Sequence, residues 1–321
     1  MTLKTMVQSL NQTLDVLMAE NQNVILLGED IGKNGGVFRV TEGLQNKYGE
    51  GRVLDTPLNE LGIVGMGAGM AMYGLRPIVE IQFQDFIFPA FDQIVNQIAK
   101  IRYRTGNQFS VPLVIRTPYG GGVRGGLYHS QSGESYFVHT SGLKVVTPSN
   151  PYDAKGLLVS SFESGDPVIF LEPKRVYRSI KSEVPEELYR IEIGKAALLK
   201  EGSDVTVITY GSMVSTVVDT ITKNRVNADV IDLRTLLPMD IDAIISSVKK
   251  TGRVVIVHEA PRTLGMGAEI SALISERAMD YLLAPIIRVT GPDIPFPYIY
   301  EELYLPDERR IMDAISKVKN Y

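Results

Sequence analysis

Val24-Ile25-Leu26-Leu27-Gly28-Glu29-Asp30 is the stretch on which the fold turns. Four consecutive apolar residues closed by a glycine suit a strand buried on both faces, as in a parallel sheet; a strand with one wet face would alternate. Two acids, Glu29 and Asp30, stand where that strand ends. In open α/β sheets this is the edge at which ligands bind, although acids also gather there to cap the next helix. Upstream, Met6, Leu10, Leu14 and Leu17 recur at helical spacing. Downstream the alternation continues, with strands expected at 53–54, 77–83, 111–115, 144–146 and 168–171. Helices are expected between them at 41–48, 61–73 and 151–162, and a further one is marked by Phe91, Ile94, Val95, Ile98 and Ile101. Such alternation predicts a mainly parallel sheet with helices on both faces.

The pattern gives way near the charged, proline-containing segment Lys181-Ser182-Glu183-Val184-Pro185-Glu186-Glu187 and then resumes. Strands follow at 205–209, 230–233, 254–258 and 286–289, with a helix over 267–283. The expected organisation is an α/β domain over 1–185, a linker over 186–200 and a second α/β domain over 201–321. A chain of 321 residues accommodates two domains comfortably.

Composition excludes several classes of function. The 33 basic and 37 acidic residues leave a net charge of −4, with no block of like charge suited to nucleic acid or an anionic membrane. The absence of cysteine rules out disulfides, thiolate metal sites and cysteine nucleophiles. The apolar run 62–75 is too short and too rich in glycine for a lipid-facing helix. Residues 1–11 lack a basic head followed by an apolar run, so the reading is a prokaryotic cytoplasmic protein.

Three features could carry chemistry. Glu60 stands where a loop containing Pro57 enters a glycine-rich apolar helix, and a carboxylate there is capped, paired or functional. The glycines that follow, Gly65-Met66-Gly67, resemble the start of a dinucleotide-binding turn. The third glycine position is Met70 and no apolar strand leads in, so close helix packing is the better reading. The loop Gly120-Gly121-Gly122-Val123-Arg124-Gly125-Gly126 delivers His129, one of only three histidines, to a position suited to function or simply to solvent. His139 reads equally as a core residue or as support to a site, and His258 as structural. Three dispersed histidines give no support to a zinc centre, and Ser130 lacks the strained elbow of a nucleophilic serine.

Over nearly its whole length the sequence resembles the β subunit of the thiamine diphosphate-dependent, decarboxylating component of 2-oxo acid dehydrogenases, of branched-chain or pyruvate type. The likeness is carried by Leu27-Gly28-Glu29-Asp30, by Asp55-Thr56-Pro57-Leu58-Asn59-Glu60, and by the run from Ile81 to Gln93. Tyr128-His129-Ser130-Gln131-Ser132, Lys144-Val145-Val146-Thr147-Pro148 and His258-Glu259-Ala260-Pro261 extend it. The resemblance implies a pyrimidine-binding domain followed by a transketolase C-terminal-like domain. It implies that Glu60 is the cofactor-activating carboxylate, sharing a proton with N1′ of the aminopyrimidine, and that His129 assists acyl transfer to a lipoyl group. Leu58, Asn59, Gln82, Phe86 and Pro89 are implied to line the cofactor pocket, with Glu29 near the ring. Many branched-chain relatives carry tyrosine where this chain has Phe86. A monovalent cation, potassium in relatives, is implied near Ser161, Ser164 and Asp166, with Ser164 standing where relatives often have aspartate.

The sequence contains no Gly-Asp-Gly segment with a downstream asparagine to bind magnesium and the diphosphate. In the family the α subunit supplies it, which implies an α2β2 heterotetramer, inactive as the lone chain, docked on a lipoyl-bearing acyltransferase core. The substrate expected is a branched-chain 2-oxo acid, with pyruvate or acetoin dehydrogenase subunits as alternatives. A split transketolase-like half and a non-catalytic interaction subunit are the wider rivals.

Overall fold

A computed structural model describes all 321 residues. Its first sheet has seven strands, in the spatial order Thr235–Leu237, Lys144–Val146, Val168–Pro173, Val114–Tyr119, Arg76–Glu80, Val24–Gly28 and Val53–Asp55. All run parallel except Thr235–Leu237, which pairs antiparallel with Lys144–Val146. Every residue of Val24–Gly28 is buried, as a continuous apolar run requires. The second sheet orders Ile287–Gly291, Val254–Pro261, Val205–Thr209, Ala228–Asp232 and, antiparallel at the edge, Ala197–Lys200. The expected α/β class holds, as two mostly parallel sheets covered by helices.

The differences from expectation have local causes. The strand expected at 111–115 forms at Val114–Tyr119. Pro112 has no amide hydrogen for a ladder, and the polar residues Arg116 and Thr117 are buried rather than terminal. Arg116 is accommodated by a forked pair of 2.8 Å hydrogen bonds to Glu172 and by a second ion pair with Glu80. The stretch marked by Phe91 to Ile101 is not a regular helix. It passes through a 3-10 turn at Phe88–Ala90, a π turn at Gln93–Gln97, a 3-10 turn at Ile98–Lys100 and an α turn at Ile101–Arg104. Ile94, Ile98 and Ile101 still reach the core, so the apolar face survives the irregular backbone.

Residues Lys181–Val184, in the segment where the α/β pattern lapses, form a strand paired antiparallel with Thr2–Thr5. Thr235–Leu237 reaches back from the second half to complete the first sheet. A single core of 35 buried residues runs through both halves, bringing Tyr119 and Ile169 together with Ile208, Leu233 and Ile256. The two halves are thus packed as one body, which matters for the loop described below.

The glycine-rich helix is Glu60–Met72, capped by Asn59, whose side chain accepts from the Gly62 amide at 3.0 Å. A Cβ on Gly67 would lie 2.8 Å from Val79 and 3.2 Å from Leu113. The glycine therefore lets the helix lie close on the sheet, and the packing reading of the Gly65-Met66-Gly67 stretch is the one observed.

Candidate active site

The order of the first sheet decides where a site can form. The chain goes from Val24–Gly28 outward to Val53–Asp55, then returns across Val24–Gly28 to Arg76–Glu80 and continues the other way. The reversal opens a crevice beyond the carboxyl ends of Val24–Gly28 and Arg76–Glu80, the general ligand position of open α/β sheets. Glu29 and Asp30 leave the first of these strands and Gln82 follows the second. The Gln82 amide bridges the two strand ends, donating to Asp30 Oδ2 at 3.2 Å and to the Glu29 carbonyl at 3.4 Å. Asp30 adopts a left-handed backbone with φ 57°, which turns the chain sharply at this edge.

Glu60 arrives at the same crevice at the first turn of its helix and is only 9% exposed. Glu29 is 8% exposed, and its Oε1 has no hydrogen-bond partner within the chain. Burial, reinforced by the neighbouring Glu60 charge, pushes the Glu29 carboxyl above its ordinary range, with the Asn59 amide opposing. Two carboxylates with one unsatisfied buried oxygen form a place where a proton or a hydrogen-bond donor is favoured. Leu58, at 80% exposed, and Asn59 and Pro89, both also exposed, face outward from this edge.

The glycine-rich loop brings His129 to the same place. Its ring makes edge contacts with Phe83 at 4.7 Å and Phe86 at 5.2 Å between centroids, and Phe83 and Phe86 touch each other at 5.6 Å. A continuous path therefore runs from the acid pair through Gln82 and the two phenylalanines to His129. The other histidines lie elsewhere. His139 is exposed at the end of the short helix Glu134–Val138, neither core nor support to this site. His258 is fully buried, accepts from the Gly267 amide at 3.1 Å, and is pushed down by burial to about 4, a neutral structural ring.

Ser161, Ser164 and Asp166 do lie together, at the end of helix Pro151–Glu163. Their side chains are largely committed, however. Ser164 Oγ accepts from Lys144 at 2.8 Å, Asp166 is ion-paired with Arg102, and Lys144 lies 3.6 Å from Asp166. Ser161 Oγ alone is buried without a partner. Lys144 and Arg102 thus take up part of the acceptor capacity of Ser164 and Asp166, and no chemistry is derived through a potassium ion.

Several further polar groups lie under the loop; Gln84, Asp85 and Glu259 fall within the stretches that carry the family resemblance, whereas Lys174 and Glu301 do not. Asp85 accepts from the Gln131 amide at 3.1 Å and Gln84 from the Gly133 amide at 3.0 Å. Glu259, from the second half, accepts from Ser132 and Ser212 at 2.9 Å each. Lys174 is 4% exposed with no hydrogen-bond partner. Burial pushes it down to about 8, against the pull of Asp85, Glu259 and Glu301. Lys174 and Glu301 carry no local signal in the sequence.

The pattern of the transketolase pyrimidine-binding domain matches residues 4–179, and that of the transketolase C-terminal domain matches residues 194–311. The 2-oxoisovalerate dehydrogenase subunit beta of Pseudomonas aeruginosa is 46% identical over 99% of this chain and 95% of its own length. The mitochondrial 2-oxoisovalerate dehydrogenase subunit beta of Dictyostelium discoideum is 52% identical over 98% of this chain and 86% of its own. The pyruvate dehydrogenase E1 component subunit beta of Staphylococcus epidermidis is 49% identical over 96% of each chain. Among solved structures, a split-gene transketolase described as an inactive β4 tetramer superposes with a TM-score of 0.81 over 98% of each chain. At 21% identity it shares the fold.

Proposed function

The chain belongs to the family of 2-oxo acid dehydrogenase β subunits, and from that membership we propose that it forms the pyrimidine-binding half of a shared active site. The reaction is decarboxylation of a small 2-oxo acid with transfer of the acyl group to a lipoyl carrier. Two observations support the reading: the Glu29–Glu60 carboxylate pair at the reversal of the first sheet, and the contact of the Phe86 and His129 rings.

Bound thiamine diphosphate supplies an electron sink for decarboxylation. Glu60 is assigned to hold or share a proton at N1′ of the aminopyrimidine, because it stands buried at the first turn of its helix beside Glu29. Glu29, whose carboxyl is pushed above its ordinary range by burial and by the Glu60 charge, stands beside it near the ring. Phe86 offers an apolar aromatic wall, while Gln82 ties the two strand ends together. His129 reaches the site from the loop and serves as the proton donor or acceptor during acyl transfer. Leu58, Asn59 and Pro89 contribute the outward wall, and their exposure supports completion of the pocket by another chain.

That other chain is an α subunit holding the diphosphate and magnesium in an α2β2 heterotetramer, consistent with the absence of a Gly-Asp-Gly segment here. The C-terminal half is assigned to docking on the acyltransferase core. No helix is long and apolar enough to cross a membrane.

The test is reconstitution with the α subunit of the same organism. Oxo-acid-dependent reduction of an artificial electron acceptor is expected only with both chains present. Tight binding of thiamine diphosphate and magnesium by the lone chain would refute the shared site. Relatives named for branched-chain and pyruvate substrates are about equally similar, at 46–52% and 49%. Following the expectation from the sequence, 3-methyl-2-oxobutanoate should be turned over faster than pyruvate; the reverse result would reassign the substrate.

A further inference from the structure

The loop over 120–133 has few bonds of its own: the Gly120 amide donates to the Gln131 carbonyl at 2.9 Å and the Gln131 side chain to the Leu127 carbonyl at 3.0 Å, and neither holds the ascending arm between them. Gly120, Gly122, Arg124 and Gly126 all have positive φ, at 76°, 111°, 54° and 65°, and the arm carries few side chains to pack. A glycine-rich segment of this kind has many conformations in the absence of tethers. Its descending arm is tied chiefly to the first half, through Asp85 and Gln84, with Glu259 holding Ser132.

The ascending arm is tied differently. Both oxygens of the Glu301 carboxylate are used: Oε1 accepts from the Gly122 amide at 2.8 Å and Oε2 from the Arg124 amide at 3.0 Å. Glu301 is 6% exposed and belongs to the C-terminal half of the chain. Successive amides of a left-handed turn form a concavity for an anion, and hydrogen bonds to an ionised acceptor are among the stronger ones available to a loop. The same C-terminal segment roofs the arm. A Cβ on Gly121 would lie 2.9 Å from Phe296 and 3.3 Å from Leu305, and Gly126 sits against Tyr298. Phe296, Tyr304 and Leu305 form a small buried cluster of their own beside it.

We propose that Glu301 is a positioning residue for the reaction: its carboxylate clamps the ascending arm of the loop and so sets His129 against Phe83 and Phe86. The consequence for His129 rests on the functional reading above; the clamp itself does not. Glu302 is the natural control. It makes only an exposed ion pair with the Arg124 side chain at 3.2 Å, a contact of little energetic weight.

Arg124 also supplies the readout, because its exposed side chain makes it a tryptic site that a protease can use only when the arm opens. In the full chain, Glu301→Ala should speed cleavage after Arg124 by about tenfold or more, as expected when two charge-assisted bonds cease to restrain local opening. Glu301→Gln, which keeps one acceptor oxygen, should fall between it and the unchanged protein, and Glu302→Gln should match the unchanged protein. In the reconstituted enzyme, Glu301→Ala should lower kcat for lipoyl acylation with little change in KM for the oxo acid. Added to His129→Ala, it should cost nothing further. Unchanged cleavage at Arg124 would overturn the clamp. Faster cleavage with undiminished acylation would overturn the positioning role, and the His129→Ala variant alone separates that result from a failure of the functional reading.

Discussion

The acid pair and the histidine loop reach the same crevice by opposite constructions. Glu29 and Glu60 sit at the ends of regular elements, one leaving a fully buried strand and the other opening a capped helix. Ladder hydrogen bonds and core packing locate them before any side-chain contact is made. His129 sits on a stretch with almost no packing of its own, and its place is set by tethers from residues up to 179 positions away in sequence. The contrast teaches that one part of a site can be as rigid as its sheet while another is only as ordered as its hydrogen bonds.

Four experiments break or sharpen that contrast. The largest effect is expected from Glu60→Gln, which removes from the rigid half the carboxylate proposed to hold the proton. Activity of the reconstituted enzyme should fall by about 10³-fold, with the thermal midpoint essentially unchanged; full activity would remove Glu60 from the chemistry. His129→Ala should come next. Lipoyl acylation should fall by about 10²-fold while thiamine diphosphate affinity stays the same, and unaltered transfer rates would separate the loop from the reaction.

The third concerns pH. Glu134, just after the loop, is buried, and burial pushes it up to about 7 against the stabilising hydrogen bond from Tyr210 of the second half. In the folded chain it binds a proton that the unfolded chain has already lost. Its contribution to stability is therefore complete below the ordinary carboxylate value of 4.5 and is lost as the pH rises through about 7. Denaturant midpoints of the unchanged protein should drop across this window by an amount corresponding to about 3 kcal/mol, about 1.4 kcal/mol for each unit between 4.5 and 7. Glu134→Gln should flatten the profile; identical profiles would mean that this contact does not titrate. The smallest effect is expected from Phe86→Tyr. The ring's apolar face is retained, so activity should change by less than about threefold. A larger loss would show that the aromatic wall tolerates no hydroxyl.

The same contrast explains how much was legible beforehand. Strand Val24–Gly28 announced itself because a run buried on both faces must be continuously apolar, and Glu29 followed as its terminus. Arg116 misled the boundary of its strand, since a buried charge neutralised by Glu80 and Glu172 looks like a surface residue when read alone. Thr235–Leu237 was missed because three residues completing another domain's edge leave no periodicity to detect. Pocket lining by Leu58, Asn59 and Pro89 rests on resemblance alone, for these residues face away from the chain's own interior.

From its amino acids alone this protein is an alternating α/β chain with a carboxylate at a helix start, a second acid at a strand end and a histidine on a flexible loop. Each of these follows from local periodicity, which needs only near neighbours in sequence. Tertiary structure alone decided that the sheet reverses between Val24–Gly28 and Arg76–Glu80, so that the two acids share one crevice. It decided too that Glu301 and Glu259 cross from the second half to hold the loop. Contacts of that range depend on how whole layers pack, and no short window of sequence records them.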